Sequence, residues 1–153
     1  MLTVFGSIII DNIFSVPALP QQGETILAHG LWVGPGGKGA NQAVAAARTG
    51  HPTRMVGSVG TDGTSTIALD ALRKHGVDIS SVQTAERPTG SAAVMVDPAG
   101  ANAIAVAPGA NGATRIAQMT DALWQDTTTL LLQMEIPFPE IKADNGDNSQ
   151  EEA

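Results

Sequence analysis

Residues Leu2 to Ile10 form a nearly continuous apolar, β-branched run, and this run most constrains what the chain can fold into. A strand without polar alternation must be buried on both faces, which requires helices above and below its sheet. The rest of the sequence supplies them in alternation. An extended run over Thr25 to Val33 leads into the glycine cluster Gly34-Pro35-Gly36-Gly37-Lys38-Gly39. The alanine-rich stretch Ala40 to Arg48, stopped by Gly50, predicts a helix. Thr53 to Val59 reads as a strand ending in the turn Gly60-Thr61-Asp62-Gly63. Thr64 to His75 reads as a helix with Ile67, Ala68, Ala71 and Leu72 on one face and Gly76 as its stop. Ser91 to Val96 and Ala103 to Val106 flank a Pro- and Gly-containing turn, the pattern of a hairpin. Asn111 is a candidate cap for a helix over Thr114 to Gln125, with Ile116, Met119, Leu123 and Trp124 as core contacts. Thr128 to Ile136 predicts a last apolar strand, ended by Pro137.

This β-α-β rhythm predicts an α/β fold: an open, mostly parallel sheet with helices on both faces. The Thr25–Val33 run and the hairpin interrupt it. They predict a small antiparallel sheet standing off the main one as a lid.

Composition excludes several functions. The chain has 153 residues, the size of one ordinary domain. It has no cysteine, which rules out disulfides, thiolate metal sites and thiol catalysis. Its net charge of −7 and lack of any basic run argue against a nucleic-acid or anionic-membrane surface. His29, His51 and His75 lack metal-ligand spacing. The run at Val4 to Ile10 is too short to span a bilayer and is broken by Gly6 and Ser7. The N-terminus lacks the basic region of a signal peptide. A soluble, cytoplasmic protein with neither nucleic acid nor membrane as partner is expected. Four of the 15 acids lie in DNGDNSQEEA, Asp144 to Ala153. A folded unit over residues 1–141 is therefore expected, followed by a polar, acidic, disordered tail over 142–153.

Gly34, Gly36 and Gly39 formally satisfy the G-x-G-x-x-G spacing of dinucleotide-binding turns, with Asp62 some distance on as a ribose acid. That fingerprint belongs to the first β-α turn of its unit, however, and the first strand here runs into Gly6-Ser7-Ile8 instead. A phosphate P-loop fails because Gly39, not Ser or Thr, follows Lys38. Two readings remain: a tight turn that packs helix on sheet, or a backbone left bare so that a ligand can approach. Lys38 and Asn41, one helical turn apart, could then face the same ligand.

The stretch Gly36-Gly37-Lys38-Gly39-Ala40-Asn41-Gln42-Ala43 resembles the first signature of the ribokinase (PfkB) family of carbohydrate kinases. Other segments resemble the family in the right order: Val4 through Asp11, Pro20 through Thr25, Gly57 to Gly63, Ala107 to Asn111, and Leu130 to Glu135. The resemblance implies a ribokinase-like fold and a pocket for a pentose-like sugar. In it Asp11, at the end of strand one, would accept hydrogen bonds from sugar hydroxyls. Gly37, Lys38, Gly39 and Asn41 would form the substrate-binding turn, and Glu135 would hold a further hydroxyl. It also implies dimers through the lid strands, with Ile26, Leu31, Ala93 and Met95 exposed on them. One place departs from the family: ribokinases usually carry asparagine two residues before the aspartate, where this chain has Ile9.

Family members are about twice this length, and their second half carries a G-A-G-D motif. That half supplies the aspartate base, the backbone anion hole, the adenine pocket and a monovalent-cation site. No G-A-G-D occurs in these 153 residues. The expectation is an N-terminal, sugar-binding half, truncated relative to the family, with no catalytic residue of its own. ATP, Mg²⁺ and K⁺ would serve the full-length family, while this piece alone would bind none of them and be inactive. The alternative is a non-catalytic sugar- or nucleoside-binding fragment, or a pseudogene product.

Overall fold

A computed structural model describes residues 1–143. The strands are β1 (Leu2–Phe5), β2 (Ile9–Ser15), β3 (Gly30–Gly36), β4 (Thr53–Gly60), β5 (Asp78–Ala85), β6 (Gly90–Val96), β7 (Asn102–Ala107) and β8 (Thr129–Leu132). The helices are α1 (Lys38–Arg48), α2 (Ser65–Lys74), α3 (Asp121–Asp126) and α4 (Phe138–Ala143). Two short 3-10 segments, Gly109–Ala113 and Ile116–Gln118, precede α3. The tail expected beyond the folded unit lies, from Asp144 onward, outside the described residues.

The main sheet has the order β5-β4-β1-β8, and all of its pairings are parallel. Apolar side chains cover both of its faces. On one, Val4, Met55, Val59, Ala43, Ala68 and Leu72 form a core under α1 and α2. On the other, Phe5 and Val56 meet Met119, Ile136 and Ile141 from the 3-10 region and α4. β4 is buried along its whole length, as expected of a central strand.

The second sheet has the order β3-β2-β6-β7. Its two outer pairings are antiparallel and its central pair, β2 with β6, is parallel. The sheet stands off the main one as the expected lid.

Several local expectations are corrected. The run Leu2 to Ile10 is not one strand. It breaks at Gly6-Ser7-Ile8, so β1 belongs to the main sheet and β2 to the lid. Asp11 therefore lies within a lid strand rather than at the end of strand one. The second extended run begins later than expected, at Gly30. The helix expected over Thr114 to Gln125 is a 3-10 turn followed by the short α3. Asn111 caps nothing: it is fully buried within the first 3-10 segment. The last strand ends at Leu132, which leaves Glu135 in the loop beyond it. β5, rich in serine and threonine, was not anticipated.

Among the described residues, no helix is long and apolar enough to cross a membrane.

Candidate functional site

The site is built where the chain leaves the main sheet for the lid. At the break, Ser7 and Ile8 are fully buried, so their backbone groups need partners from elsewhere in the fold. Ser7 N–H donates to Gln133 Oε1 at 3.1 Å, and Ser7 C=O accepts from Ala40 N–H at 3.0 Å. Ile8 N–H donates to Asn111 Oδ1 at 2.8 Å, and Asn111 Nδ2 returns a bond to Ile8 C=O at 2.8 Å. Asn111 Nδ2 also reaches Pro108 C=O at 3.1 Å, tying the segment after β7 to the same break.

The glycine turn enters α1 against this break. Gly37 has φ +96°, which L side chains rarely adopt, and a Cβ there would sit 2.7 Å from Ile9 N. Gly39 is buried, and a Cβ on it would lie 2.6 Å from Ser7 N and 2.7 Å from Ser7 O. The packing reading of the cluster accounts for Gly39, whose place a side chain would clash with. Gly39 seats the helix on the break, while Gly37, Lys38 and Asn41 face a cavity.

That cavity measures about 220 Å³. Asp11, Gly37, Lys38, Asn41 and Glu135 line it together, and Gly39 stays in the packing beneath. Its apolar wall is Ile9, Ala92, Val94, Ile104 and Val106. The volume lies below the roughly 300 Å³ at which drug-sized pockets begin, so a small ligand fits it. Strand register explains the wall. Asp11 is paired with Ala92 and Gly34, and Ala92 in turn with Val106, so their side chains share one lid face.

Glu135 is the best-anchored polar group. Lys38 Nζ lies 2.6 Å from its Oε1, and Ser7 Oγ donates to its Oε2 at 3.1 Å. The lysine side chain is 71% exposed, so the pair adds little stability but fixes the carboxylate's direction. Among the described residues Asp11 has no such cation partner. Burial pushes its carboxyl above the usual carboxylate value of 3.8, and the nearby Glu135 charge pushes it the same way.

A group whose pKa is raised by folding costs stability once pH climbs through that folded value. Asp11→Asn is therefore expected to melt at a higher temperature than the parent at pH 7. The gap should close near pH 3, where the carboxyl is protonated in both states. A lower melting temperature for Asp11→Asn at pH 7 in scanning calorimetry would contradict this.

Asp62, the candidate ribose acid of the dinucleotide reading, does not reach the cavity. Its carboxylate accepts from Thr89 N–H at 2.9 Å, Thr89 Oγ1 at 2.7 Å and Thr64 Oγ1 at 3.1 Å. Slight burial raises its pKa, but these hydrogen bonds outweigh that and hold it below the usual value. It ties the turn after β4 to the segment before β6.

A larger apolar cavity of about 450 Å³ adjoins the first, sharing Ile9, Val106 and Glu135. Pro108, Met134, Ile136 and Pro137 also line it, and among the described residues Glu135 is its one charged lining residue. With no cation in its wall it does not fit a triphosphate, so no step of nucleotide chemistry is derived from it. Among the described residues, no group of three or more His, Cys, Asp or Glu could hold a metal ion.

Sequence reasoning missed the roles of Ser7, Gln133 and Asn111. Each lies more than 100 residues from a partner it orients, and nothing local signals such pairs.

The arrangement can hold a polyol. Two carboxylates accept from hydroxyls, an ammonium and an amide donate to them, and an apolar wall meets C–H faces. Ile9 supplies wall, not an amide, at its place in this cavity.

Comparison with known proteins shows which family the chain resembles. The ribokinase of Bacillus subtilis is 38% identical over 138 residues, covering 89% of this chain and 47% of the relative. The ribokinase of Haemophilus influenzae is 34% identical over 144 residues, covering 92% of this chain and 47% of the relative. The chain thus spans about half the length of the curated relatives it matches. Among solved structures, ribokinase from Thermotoga maritima superposes with a TM-score of 0.84 at 37% identity, covering 92% of this chain and 47% of that one. Arabidopsis thaliana ribokinase, solved with ribose and ATP, gives a TM-score of 0.78 at 38% identity, covering 89% and 46%. The pfkB family carbohydrate kinase profile matches residues 1–134, and with these relatives it shows that the chain belongs to that family.

Proposed function

We propose that this chain is the sugar-binding part of a ribokinase-type kinase and that its ligand is ribose or a similar pentose. The observation that carries this reading is the convergence of Asp11, Lys38, Asn41 and Glu135 on one small cavity beneath the lid. Asp11 and Glu135 accept from sugar hydroxyls, Asn41 both donates and accepts, and Lys38 donates while holding Glu135. The lid face over them excludes water from the bound sugar. In the whole enzyme, ATP with Mg²⁺ and K⁺ would supply and activate the phosphoryl group, and the cytoplasm would be its place of work. Their binding falls to the half of family members that carries the G-A-G-D motif, which does not occur in these 153 residues.

Removing one partner of a buried hydroxyl pair costs about 1–3 kcal/mol, or roughly 5- to 150-fold in affinity. Asn41→Ala and Glu135→Gln are each expected to weaken ribose binding by that factor in isothermal titration calorimetry. Unchanged ribose affinity in both variants would remove this cavity from the reading.

Self-association through the lid is part of the same reading. Leu31 is 56% exposed and Val33 42% exposed on the face opposite Asp11, and Ala93 is exposed there too, whereas Ile26 and Met95, expected to be exposed, are half-buried. Light scattering is expected to report at least twice the 15.6 kDa chain mass. A monodisperse monomer would count against the lid contact.

A further inference from the structure

The two edges of the main sheet are unlike. At one edge, β5 exposes Ser80, Gln83 and Thr84, the polar finish of a strand that meets water. At the other, β8 reads TLLL from Thr129 to Leu132. Leu131 packs into the core under α1 and α2, while Leu130 and Leu132 pack into the core on the opposite face. A strand that is apolar on both faces belongs inside a parallel sheet, with a neighbour on each side. Among the described residues β8 pairs with β1 alone. It carries no charge, proline or bulge to blunt its open edge.

Topology says where a further strand would lie. The connections through α1 and α2 use one face and carry the chain from β1 to β4 and on to β5. The return from β5 to β8 passes over the other face, where Met119 packs. Opposite directions on opposite faces keep a single hand, the right-handed one that β-α-β units adopt. α4 follows β8 and sets Ile141 on that second face. A further crossover of the same hand continues outward and lays its strand parallel to β8, on the open side. Asp144 to Ala153 is no such strand: it has four acids, no β-branched residue and one apolar side chain, at its end. Directly after β8, Met134, Ile136 and Pro137 line the apolar cavity of about 450 Å³, and Met134 is 69% exposed. The chain covers 47% of each of two curated ribokinases, so about half of each has no counterpart here.

We infer that the open edge of β8 and the adjoining cavity form an interface for a second polypeptide: the complementary half of a kinase of this family, supplied as a separate chain. Its first strand adds in parallel to β8, where backbone hydrogen bonds give affinity, and an apolar side chain enters the cavity beside Met134. A second copy of this chain fits the edge less well. Two identical edges related by a two-fold axis pair antiparallel, against the direction that the crossover requires. The inference concerns assembly and does not depend on whether a sugar binds under the lid.

The test co-expresses the tagged 153-residue chain with the second half of Bacillus subtilis ribokinase, beginning after the segment that matches this chain. Co-expression lets each part fold against the other. The expected result is a one-to-one complex by light scattering, with new hydrogen-exchange protection in Thr129–Leu132. Met134→Asp changes an exposed position outside the sugar cavity. It should weaken the complex about tenfold or more, because docking would bury its charge. Circular dichroism of that variant alone should match the parent's, so a fold defect cannot imitate the loss. Absence of a complex with this half and with the corresponding half of Haemophilus influenzae ribokinase overturns the inference. So does new protection that falls on the lid instead of β8, a Met134→Asp variant that associates as well as the parent, or pairing of β8 with a second copy in preference to the added half. Ribose binding by the chain alone is titrated separately. Its absence would remove the sugar reading and leave a β8-protected complex standing.

Discussion

Asn111→Ala is expected to lower the free energy of unfolding by about 2–4 kcal/mol, a large share of the stability of a domain this size. The argument begins at the break between β1 and β2. Ile8 there is fully buried, and Asn111 gives its N–H an acceptor and its C=O a donor, both at 2.8 Å. Truncation to alanine removes both partners in a place where water does not reach. Each group so stranded costs about 1–3 kcal/mol. The third bond, to Pro108 C=O, is lost as well. Asn111→Asp does not rescue the site, because a carboxylate can accept from Ile8 N–H but has nothing to donate to Ile8 C=O.

The effect should extend beyond stability. The break is what turns Asp11 into the lid while Ser7 stays beside Glu135. Loosening it separates the two carboxylates from one another. Urea unfolding followed by circular dichroism measures the first effect, and ribose titration of the folded variant measures the second. A change in unfolding free energy below about 1 kcal/mol would show that Asn111 merely fills space.

The same break explains what the sequence could and could not disclose. An apolar run reports burial, not direction. Val4, Phe5, Ile8, Ile9 and Ile10 are all buried, so nothing in their pattern marks the place where the chain changes sheets. The signal was present only as Gly6 and Ser7, two small residues in an otherwise branched stretch. α1, α2 and β4 were legible because their patterns are long and uninterrupted, and the hairpin was legible from its turn.

The 3-10 region was not. Ile116 and Met119, three residues apart, suit a three-residue turn as well as an α-helical one, so apolar spacing alone cannot choose between them. β5 escaped for another reason. Its exposed positions include Ser80, Gln83 and Thr84, because an edge strand with one wet face shows little hydrophobic continuity. At the site, Lys38 and Asn41 were readable as a local pair across one helical turn. The bond from Ser7 to Glu135 spans 128 positions and only the folded chain brings it together.

These 153 residues expressed alone are expected to show no sugar-dependent release of ADP. Phosphoryl transfer depends almost wholly on positioning and on charge stabilisation at the transferred group. Losing even one preorganised donor to a developing oxyanion costs about 10²–10³ in turnover. The sequence holds no G-A-G-D, and two of the three carboxylates that could be proposed as substitute bases are otherwise engaged. Glu135 is held by Lys38 and Ser7, and Asp62 by Thr89 and Thr64. Asp11 remains. It is without a cation partner, but the larger cavity beside the site offers no positive group to receive a triphosphate. A free carboxylate next to a sugar hydroxyl, with no anchored phosphate in line, has nothing to deprotonate toward. The measurement is a coupled ADP-release assay with ATP, Mg²⁺, K⁺ and ribose. It is run beside a chimera in which the second half of a ribokinase follows Glu140. Sugar-dependent turnover by the 153-residue chain alone would overturn the expectation. A chimera that binds ribose and ATP yet stays silent would direct attention to Ile9, where the cavity presents an alkyl wall and no amide to orient the attacking hydroxyl.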